Sequence, residues 1–445
     1  MRVACLALTA AVLLSGCDAR AGVASIGSQD LPSGASYRVT GTVSVGNYAN
    51  GVAVDPGTHT VYVANEGDST VSVIDAATRT VTATIPVGES PSDVAVDPST
   101  HSVYVSDVNG VTVIDGSTRT VTATIPVGQA LGTVAVDPGT HTVYVEGEYV
   151  LLVIDGLTQT VTATVPLREK QEGHPIHRND LAGQVALDTD THTVYVGDVW
   201  RRGVTVIDGS THTVTATVPL GGSPDNIAVD PGTHTVYVEG EHVLLVIDGL
   251  TQTVTATVPL REKQEGHPIY RNDLAGQVAL DPSTHTVYVA NSWANAVTVI
   301  DGSTHTVTAT VPLGGSPDKI AVDSGSHTIY VTRGDVNNVT LKVGRAMSVI
   351  DGTTRTVTAD IPTALWGSMA VDPDTHTVFA ATGPNSSDNA VSVIGGTTGT
   401  VITTIPISYS AYGVAVDPES HIVYVTGLVP HHPYGAVSII ESVPG

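Results

Sequence analysis

The chain has 445 residues, of which 43 are acidic and 18 are basic, and its formal net charge is −25. A phosphate backbone is bound by a clustered basic surface, so this balance argues against a nucleic-acid partner. Only one Phe is present, while Val, Thr and Gly are abundant, which favours β-strands and turns over helices.

The N-terminus predicts export and anchoring. Residues 3–14 form an apolar run that is too short to span a bilayer permanently. The run ends in the letters LSGC at Cys17, which resemble a bacterial lipoprotein signal. The resemblance implies removal of residues 1–16, lipidation of Cys17 and an extracytoplasmic protein attached to the cell membrane by its lipid alone. An ordinary secretory signal is the alternative. Residues 17–36 are rich in Gly, Ser and Ala and predict a flexible tether.

Residues 37–445 are dominated by an internal repeat with a period of about 40 to 50 residues. The phrase [VIM]-A-[VL]-D recurs nine times. Each copy contains four short segments, named here strand A (VAVD), strand B (TVYV), strand C (VTVID) and strand D (TVTATIPV). Four strands per period predict the blades of a single all-β propeller, with nine blades by repeat count.

Strand B carries a family resemblance. The letters YVAN at 62–65 and YVTR at 330–333 resemble the signature of the YVTN β-propeller family. The resemblance covers about residues 37–441 and implies a β-propeller, but little about activity. Members of that family commonly have seven blades, so seven or eight blades remain alternatives to nine.

The two ends of the repeat region complement each other. Residues 37–46 read as a lone strand D, and residues 437–440 read as a last strand C with no strand D after it. The N-terminal strand can therefore complete the last blade and close the ring, which removes an exposed sheet edge.

Two of the four connections are nearly constant. The A–B turn reads D-P-[GS]-T-H in most copies, and the C–D turn reads D-G-[SL]-T-[RHQ]. Asp is typical of such turns because it bonds its own nearby backbone. Much of the acidity, and nine of the 17 His residues, belong to these turns. One His per blade cannot converge on one metal ion, so we interpret these histidines as turn formers.

The B–C and D–A connections vary, and loops on a rigid scaffold are where binding residues concentrate. Trp200 and Trp293 fall in B–C loops and Trp366 falls in a D–A loop. Five tyrosines are also assigned to these loops: Tyr48, Tyr270, Tyr409, Tyr412 and Tyr434. Exposed aromatic residues anchor many interfaces, although capping of the blade ends explains them almost as well. The strand B tyrosines, in contrast, are predicted to pack between blades.

Two blades are near copies of two others. Residues 135–188 match 228–281 except at two positions, whereas loops 197–203 and 290–296 share only their tryptophan. Such localised change indicates either a diversified binding loop or relaxed constraint. The candidates for a binding face are Trp200, Arg201, Arg202, Trp293, Trp366, His174, His177, Arg178, Asp180, His267, Tyr270, Arg271, Asp273, His431 and His432.

No catalytic motif is found. The sequence contains no G-x-S-x-G, HExxH or phosphate-cradling loop, so no catalytic residue, metal or cofactor is assigned. The His, Glu and Asp residues of the duplicated insert could bind a metal or an anion, but a solvated polar loop is favoured. We expect a monomeric module that binds a protein or a glycan. A hydrolase or lyase resembling lactonases, with its site at the channel mouth, and a structural surface or adhesion protein are the alternatives.

Overall fold

The computed structural model describes most of the repeat region. The described residues are 36–128, 131–147, 150–166, 185–198, 202–220, 224, 226–240, 243–260, 277–336, 343–362, 369–372, 374–381, 389–396, 399–429 and 434–443. Within these ranges every regular element is a β-strand. Among them there is accordingly no helix that could cross a membrane.

The strands form nine four-stranded antiparallel sheets, the blades, numbered in chain order from the first strand A. The first strands are β1 (Ser36–Val45), β2 (Ala49–Asp55), β3 (Thr60–Asn65), β4 (Thr70–Asp75), β5 (Thr80–Pro86), β6 (Asp93–Asp97), β7 (Ser102–Ser106), β8 (Gly110–Asp115), β9 (Thr120–Pro126), β10 (Leu131–Asp137), β11 (Thr142–Gly147), β12 (Val150–Asp155) and β13 (Thr160–Pro166). Blades 4 to 6 contain β14 (Val185–Asp188), β15 (Thr193–Asp198), β16 (Gly203–Asp208), β17 (Thr213–Pro219), β18 (Ile227–Asp230), β19 (Thr235–Glu239), β20 (Val243–Asp248), β21 (Thr253–Pro259), β22 (Val278–Asp281), β23 (Thr286–Asn291), β24 (Ala296–Asp301) and β25 (Thr306–Pro312). Blades 7 to 9 contain β26 (Ser316–Asp323), β27 (Thr328–Val336), β28 (Val343–Asp351), β29 (Thr356–Pro362), β30 (Met369–Asp372), β31 (Thr377–Ala381), β32 (Ala390–Gly395), β33 (Thr400–Pro406), β34 (Ser410–Asp417), β35 (Ile422–Leu428) and β36 (Gly435–Val443).

The blades fall into two compact units. The first comprises residues 1–148, 152–162 and 364–445, and the second comprises 149–151 and 163–363. Blades 1, 2, 8 and 9 lie in the first unit, and blades 4 to 7 lie in the second. The prediction of a propeller with nine four-stranded blades is confirmed.

The first strand completes the last blade, as the sequence predicts. Strand β1 pairs antiparallel with β36, from Ser36 opposite Val443 to Val45 opposite Gly435. The last sheet therefore has the order β34, β35, β36, β1, so its strand D comes from the other end of the chain.

The core lies between neighbouring blades and is built mainly from strands B and C. In blade 1, Tyr62, Val71 and Val73 pack against Val103 and Ile114 of blade 2, and all five are fully buried. Strand D is buried only in part; in β5 the Thr residues alternate with half-buried Val and Ala. Alternation with a period of two is expected for a strand with one solvated face.

A bulge in strand D accounts for one of its threonines. In blade 1 the register shifts so that Thr82 faces no partner residue, and its hydroxyl donates to the carbonyl of Val73 at 3.2 Å. The same bond recurs at Thr122, Thr162, Thr215, Thr255, Thr308 and Thr358, and at Thr40 in β1. In blade 8 this position is Ile402, which has no hydroxyl. Bulges also discourage pairing of an edge strand with another chain.

The strand B tyrosines pack between blades, as predicted. The Tyr104 hydroxyl donates to the carbonyl of Gly156 in the next blade at 3.3 Å, and a Cβ on Gly156 would lie 2.5 Å from that oxygen. Tyr237 and Gly302 repeat the arrangement in the second unit. The close tyrosine hydroxyl leaves no room for a Cβ at these glycines of the C–D turn.

Arginines of the C–D turn also reach the preceding blade. Arg79 of blade 1 donates through Nη2 to both carboxylate oxygens of Glu441 of blade 9, at 2.8 and 2.6 Å, and through Nη1 to the carbonyl of Thr40 at 3.1 Å. In the second unit, Arg355 donates to the carbonyl of Thr308 at 3.3 Å. Each contact joins two blades at their turns.

Candidate functional site

Antiparallel blades have two ends. The A–B and C–D turns form one end of each blade, called here the turn end, and the B–C and D–A connections form the other, called the variable end. Most of the predicted binding-face residues lie outside the described residues, as does the lipidation site Cys17. These are Trp200, Arg201, Trp366, His174, His177, Arg178, Asp180, His267, Tyr270, Arg271, Asp273, His431 and His432.

The two described candidates, Arg202 and Trp293, occupy corresponding loops of blades 4 and 6. Arg202 is exposed and has a positive φ of 52°, and its carbonyl accepts the amide of Leu220 at 2.8 Å. Asn295 takes the same place in blade 6, with φ 48°, and accepts the amide of Leu313 at 2.7 Å. Trp293 lies two residues before Asn295 and is half-buried. The last residue of each loop thus has the same backbone conformation and the same carbonyl bond but a different side chain.

Buried polar side chains at the end of strand B hold the B–C loops. Asn65 donates through Nδ2 to Thr70 Oγ1 at 3.0 Å and to Ser72 Oγ at 2.9 Å. In blade 2, Asp107 accepts the amides of Asn109 and Gly110, both at 2.8 Å. Burial raises the pKa of Asp107, and these amide bonds oppose that effect. Loop anchoring explains these residues without a ligand.

Blade 7 replaces this amide or carboxylate with a buried cation. Arg333 donates through Nε to Ser348 Oγ at 3.0 Å, and its Nη2 lies 3.3 Å from Asp360 Oδ1. Ser348 in turn donates to Asp360 Oδ1 at 2.6 Å. The Asp360 carboxylate therefore compensates the charge of the guanidinium. Because Arg333, Ser348 and Asp360 lie in strands B, C and D of the same sheet, the network also fixes these three strands to each other.

Two buried glutamates were missed by the sequence reasoning. Glu146 and Glu239 take the position before the loop-holding residue in blades 3 and 5, where they are 5% and 0% exposed. Glu239 Oε2 accepts Asn226 Nδ2 at 3.3 Å. The available signal was the repeat itself, because the other blades carry Ala, Ser, Thr or Gly at this position.

Asp93 is a half-buried carboxyl at the variable end. It precedes Val94 at the start of strand A in blade 2, where its carboxylate accepts the amides of Val94 at 2.9 Å and of Val134 in blade 3 at 3.1 Å. Burial raises the pKa of Asp93 to about 6, and the two amide bonds oppose the shift. Its donors are backbone amides, so this carboxyl joins two blades.

Ser92 and Ser106 lie beside it without the surroundings of a nucleophile. Their hydroxyls are 2.9 Å apart, and each also donates to a carbonyl of blade 3: Ser92 to Leu131 at 3.1 Å and Ser106 to Gly132 at 2.7 Å. An activated serine needs a neighbouring base that accepts its proton. Here the acceptors are carbonyl oxygens.

The repeated histidines do more than form turns. Each has the positive φ of a turn residue, and the contacts described for seven of them include a bond to a buried Asp of the adjoining blade. Because an ionised carboxylate only accepts, Nδ1 carries the proton in these bonds. The Nδ1–Oδ2 distances run from 2.6 to 3.0 Å in the pairs His59–Asp417, His101–Asp55, His141–Asp97, His234–Asp188, His285–Asp230, His327–Asp281 and His421–Asp372. The interpretation of these histidines as turn formers was therefore incomplete, because they also join neighbouring blades.

These pairs change the ionisation of both partners where a shift is resolved. The bond to Asp417 raises the pKa of His59, and burial opposes the rise. At Asp97, burial acts to raise the pKa, but bonds from Ser99 and His141 together lower it. Over the described residues, no three His, Cys, Asp or Glu side chains are grouped as a metal site would require. The turn end is thus a set of separate inter-blade pairs.

The loop tyrosines divide into two kinds. Tyr409 is fully buried, accepts the amide of Ser438 at 2.7 Å and donates to the carbonyl of Val425 at 2.6 Å. Tyr409 lies in a D–A connection as predicted, but its hydroxyl bonds two backbone groups inside blade 9, so its ring does not belong to an exposed binding surface. Tyr412 lies in β34. Tyr48 and Tyr434 are 52% and 58% exposed at the variable end.

Comparison with known proteins supports the fold class. No protein-family model matches the chain, and no curated protein matches it. Among solved structures it is similar to dihydro-heme d1 dehydrogenase NirN in complex with DHE, with TM-score 0.57 and 14% identity over 80% of this chain and 74% of that chain. It is also similar to Kuenenia stuttgartiensis hydrazine synthase, with TM-score 0.42 and 19% identity over 58% of this chain and 80% of that chain. The chain is a nine-bladed β-propeller, and at these identities the likeness concerns the fold alone.

Proposed function

We propose that this propeller is a binding module that holds a protein or glycan ligand at its variable end. The observation that carries the proposal is the contrast between the two ends. At the turn end, His–Asp pairs and capped turns repeat from blade to blade. At the variable end, the same backbone conformation recurs at Arg202 in blade 4 and at Asn295 in blade 6, so one backbone position carries two different side chains; Trp293 lies two residues before Asn295. A rigid scaffold with varied side chains on one end suits recognition better than a single chemistry.

The charges at the described part of this end favour binding over catalysis. Asp107, Asp93 and Arg333 are all engaged by backbone amides or by other side chains of the protein. Their chemistry holds loops and blades in place. A binding face would therefore be formed by the other, exposed side chains of these loops.

We further propose that the chain is a YVTN-type lipoprotein, composed of signal 1–16, tether 17–36 and propeller 37–445. Its acylated Cys17 would be the only membrane attachment, and the protein would act as an extracytoplasmic monomer. Incorporation of labelled palmitate into the wild-type chain, lost in Cys17→Ser, tests the anchor. Labelling that persists in Cys17→Ser would contradict it.

The binding role is tested with the unlipidated Cys17→Ser chain as bait. Cell-envelope proteins and polysaccharides are captured by this chain and by the same chain with Arg202→Ala and Trp293→Ala. The matched control is Leu250→Ala, which removes a 66%-exposed apolar side chain from a C–D turn. We expect the paired loop variant to lose capture and Leu250→Ala to retain it. Equal capture by all three chains would refute a role for these loops.

A further inference from the structure

Two exposed tyrosines lie on adjoining backbone segments where the first and last blades meet in the first unit. Tyr434 immediately precedes Gly435, whose amide donates to the carbonyl of Gly46 at 2.8 Å. A Cβ on Gly435 would lie 2.6 Å from the Cβ of Ala49, the residue that follows Tyr48. The backbones that carry Tyr48 and Tyr434 are therefore in direct contact. Both rings belong to the variable end, and both are more than half exposed.

The backbone at Tyr48 is held in an unfavourable conformation. Its φ is 53°, in the left-handed region that bulky residues rarely adopt. Three bonds hold the loop: Glu66 N to Tyr48 O at 3.0 Å, Gly67 N to Asn47 O at 3.0 Å, and Asn47 N to Asp68 Oδ2 at 2.7 Å. Strain of this kind persists only where the surroundings impose it, and it is found often at ligand-binding sites.

The corresponding loop of blade 2 shows what a smaller residue does here. Ser90 takes the place of Tyr48, with φ 51°, and its neighbour Glu89 accepts the amide of Val108 at 3.0 Å. The positive φ at this position therefore forms without an aromatic ring. The Tyr48 ring is placed over Gly67, where an added Cβ would lie 3.0 Å from its Cδ2, and still leaves half its surface to solvent. Fold formation does not explain a tyrosine at this position.

We propose that Tyr48 and Tyr434 form a platform that binds a neutral oligosaccharide. The flat faces of aromatic rings stack on the C–H faces of pyranose rings, and polar groups beside them bond the hydroxyls. Asn47, Glu66 and Asp68 belong to the hydrogen-bonded loop that holds the Tyr48 backbone, and their side chains supply such groups, mostly acceptors. The inference rests on the proposed binding function and specifies its ligand class.

The surroundings favour a sugar over the other ligand classes. The acidic residues beside Tyr48 and the net charge of −25 disfavour anionic polymers. A stable protein interface buries roughly 1,200–2,000 Å² around a desolvated apolar centre. Two exposed tyrosines among polar residues do not provide such a centre, whereas a sugar ring needs only an aromatic face and a few hydrogen bonds.

The test is calorimetric titration of the full Cys17→Ser chain with cellohexaose, chitohexaose, maltohexaose and mannohexaose. We expect at least one to bind, and we expect Tyr434→Ala and Tyr48→Gly each to weaken that binding by tenfold or more. Tyr48→Gly is chosen because Gly accepts a positive φ without strain, so this variant should unfold no more easily than the parent. The matched control is Ser90→Gly, which relieves the same backbone in blade 2 and should leave sugar binding unchanged.

The outcomes separate this proposal from the broader function. Binding by none of the four hexasaccharides, or binding that survives both tyrosine substitutions, overturns the tyrosine platform. If capture of an envelope ligand is nevertheless lost with Arg202→Ala and Trp293→Ala, the binding function stands at a different site. If sugar binding follows the tyrosines and capture ignores Arg202 and Trp293, the platform stands and the loops of blades 4 and 6 are not its site.

Discussion

Replacement of one repeated histidine should destabilise the propeller through its buried aspartate. In the His101–Asp55 pair the two atoms are 2.7 Å apart, the Asp55 side chain is 0% exposed and the His101 side chain is 33% exposed. Asp55 Oδ1 also accepts the amide of Gly57 at 3.1 Å. In His101→Ala, Asp55 keeps this single protein donor and its other oxygen loses its partner.

The magnitude follows from the loss of one partner of a buried carboxylate. Breaking a fully buried ion pair costs about 3–5 kcal/mol. Because a third of the His101 side chain is exposed, water can reach the space it vacates, and we expect about 1–3 kcal/mol. The assay is urea unfolding of the full Cys17→Ser chain, followed by circular dichroism at pH 7.

The matched control is His212→Ala. His101 and His212 have φ values of 56° and 57°, so Ala introduces the same backbone strain at both positions. His212 donates its backbone amide to the carbonyl of Asp208, a turn residue that is only partly buried. The difference between the two variants therefore reports the buried pair. Equal destabilisation by His101→Ala and His212→Ala would refute the reasoning.

Three further predictions concern single substitutions. Ile402→Thr should raise the unfolding free energy by about 0.5–1 kcal/mol, because the new hydroxyl can donate to the carbonyl of Val393 as the other bulge threonines do. The pKa of Asp93 is raised from 3.8 to about 6, so its contribution to stability is present at low pH and is lost as the pH rises through about 6; urea unfolding from pH 4 to 8 should show a fall of about 2–3 kcal/mol that Asp93→Asn lacks. Gln252→Arg should gain about 0.2–1 kcal/mol, measured at low salt, by pairing with Asp208 as Arg79 pairs with its neighbour.

Each of these has an internal control. Thr255→Val removes an existing bulge bond and should destabilise by an amount similar to the Ile402→Thr gain. Asp68→Asn changes an exposed carboxylate and should leave the fall between pH 4 and 8 in place. The Gln252→Arg gain should shrink in 1 M salt, because screening weakens an exposed ion pair. A gain that salt leaves unchanged would point to packing of the longer side chain.

The histidines of the A–B turns show what the sequence can and cannot predict. A histidine in every A–B turn was correctly placed in a turn, and its positive φ follows from local geometry. That its ring meets an aspartate of the preceding blade could not be read from the repeat, since His101 and Asp55 are 46 residues apart. Period and local pattern contain no information about which neighbouring surfaces touch. For the same reason the sequence does not predict the bond between the Asp93 carboxylate and the Val134 amide of the next blade.

Two tyrosines show that the sequence also does not predict which loop aromatic residues are buried. Tyr48 and Tyr409 both follow a strand D and both looked like loop aromatics. Their environments differ because Tyr409 turns inward to the backbone of Val425 and Ser438, whereas Tyr48 turns outward over Gly67. Burial is decided by the cavity a neighbouring strand leaves, which a single-residue pattern does not describe.

By itself the sequence determined the repeat, the four strands of each blade, the number of blades and the completion of the last blade by the first strand. These follow from short-range physics: alternation of Val and Thr, turn chemistry at Asp and Gly, and a count of copies. The tertiary structure decided which polar groups pair between blades and which aromatic rings reach solvent. Those outcomes depend on contacts between residues far apart in the chain, because desolvation acts only once the blades have packed.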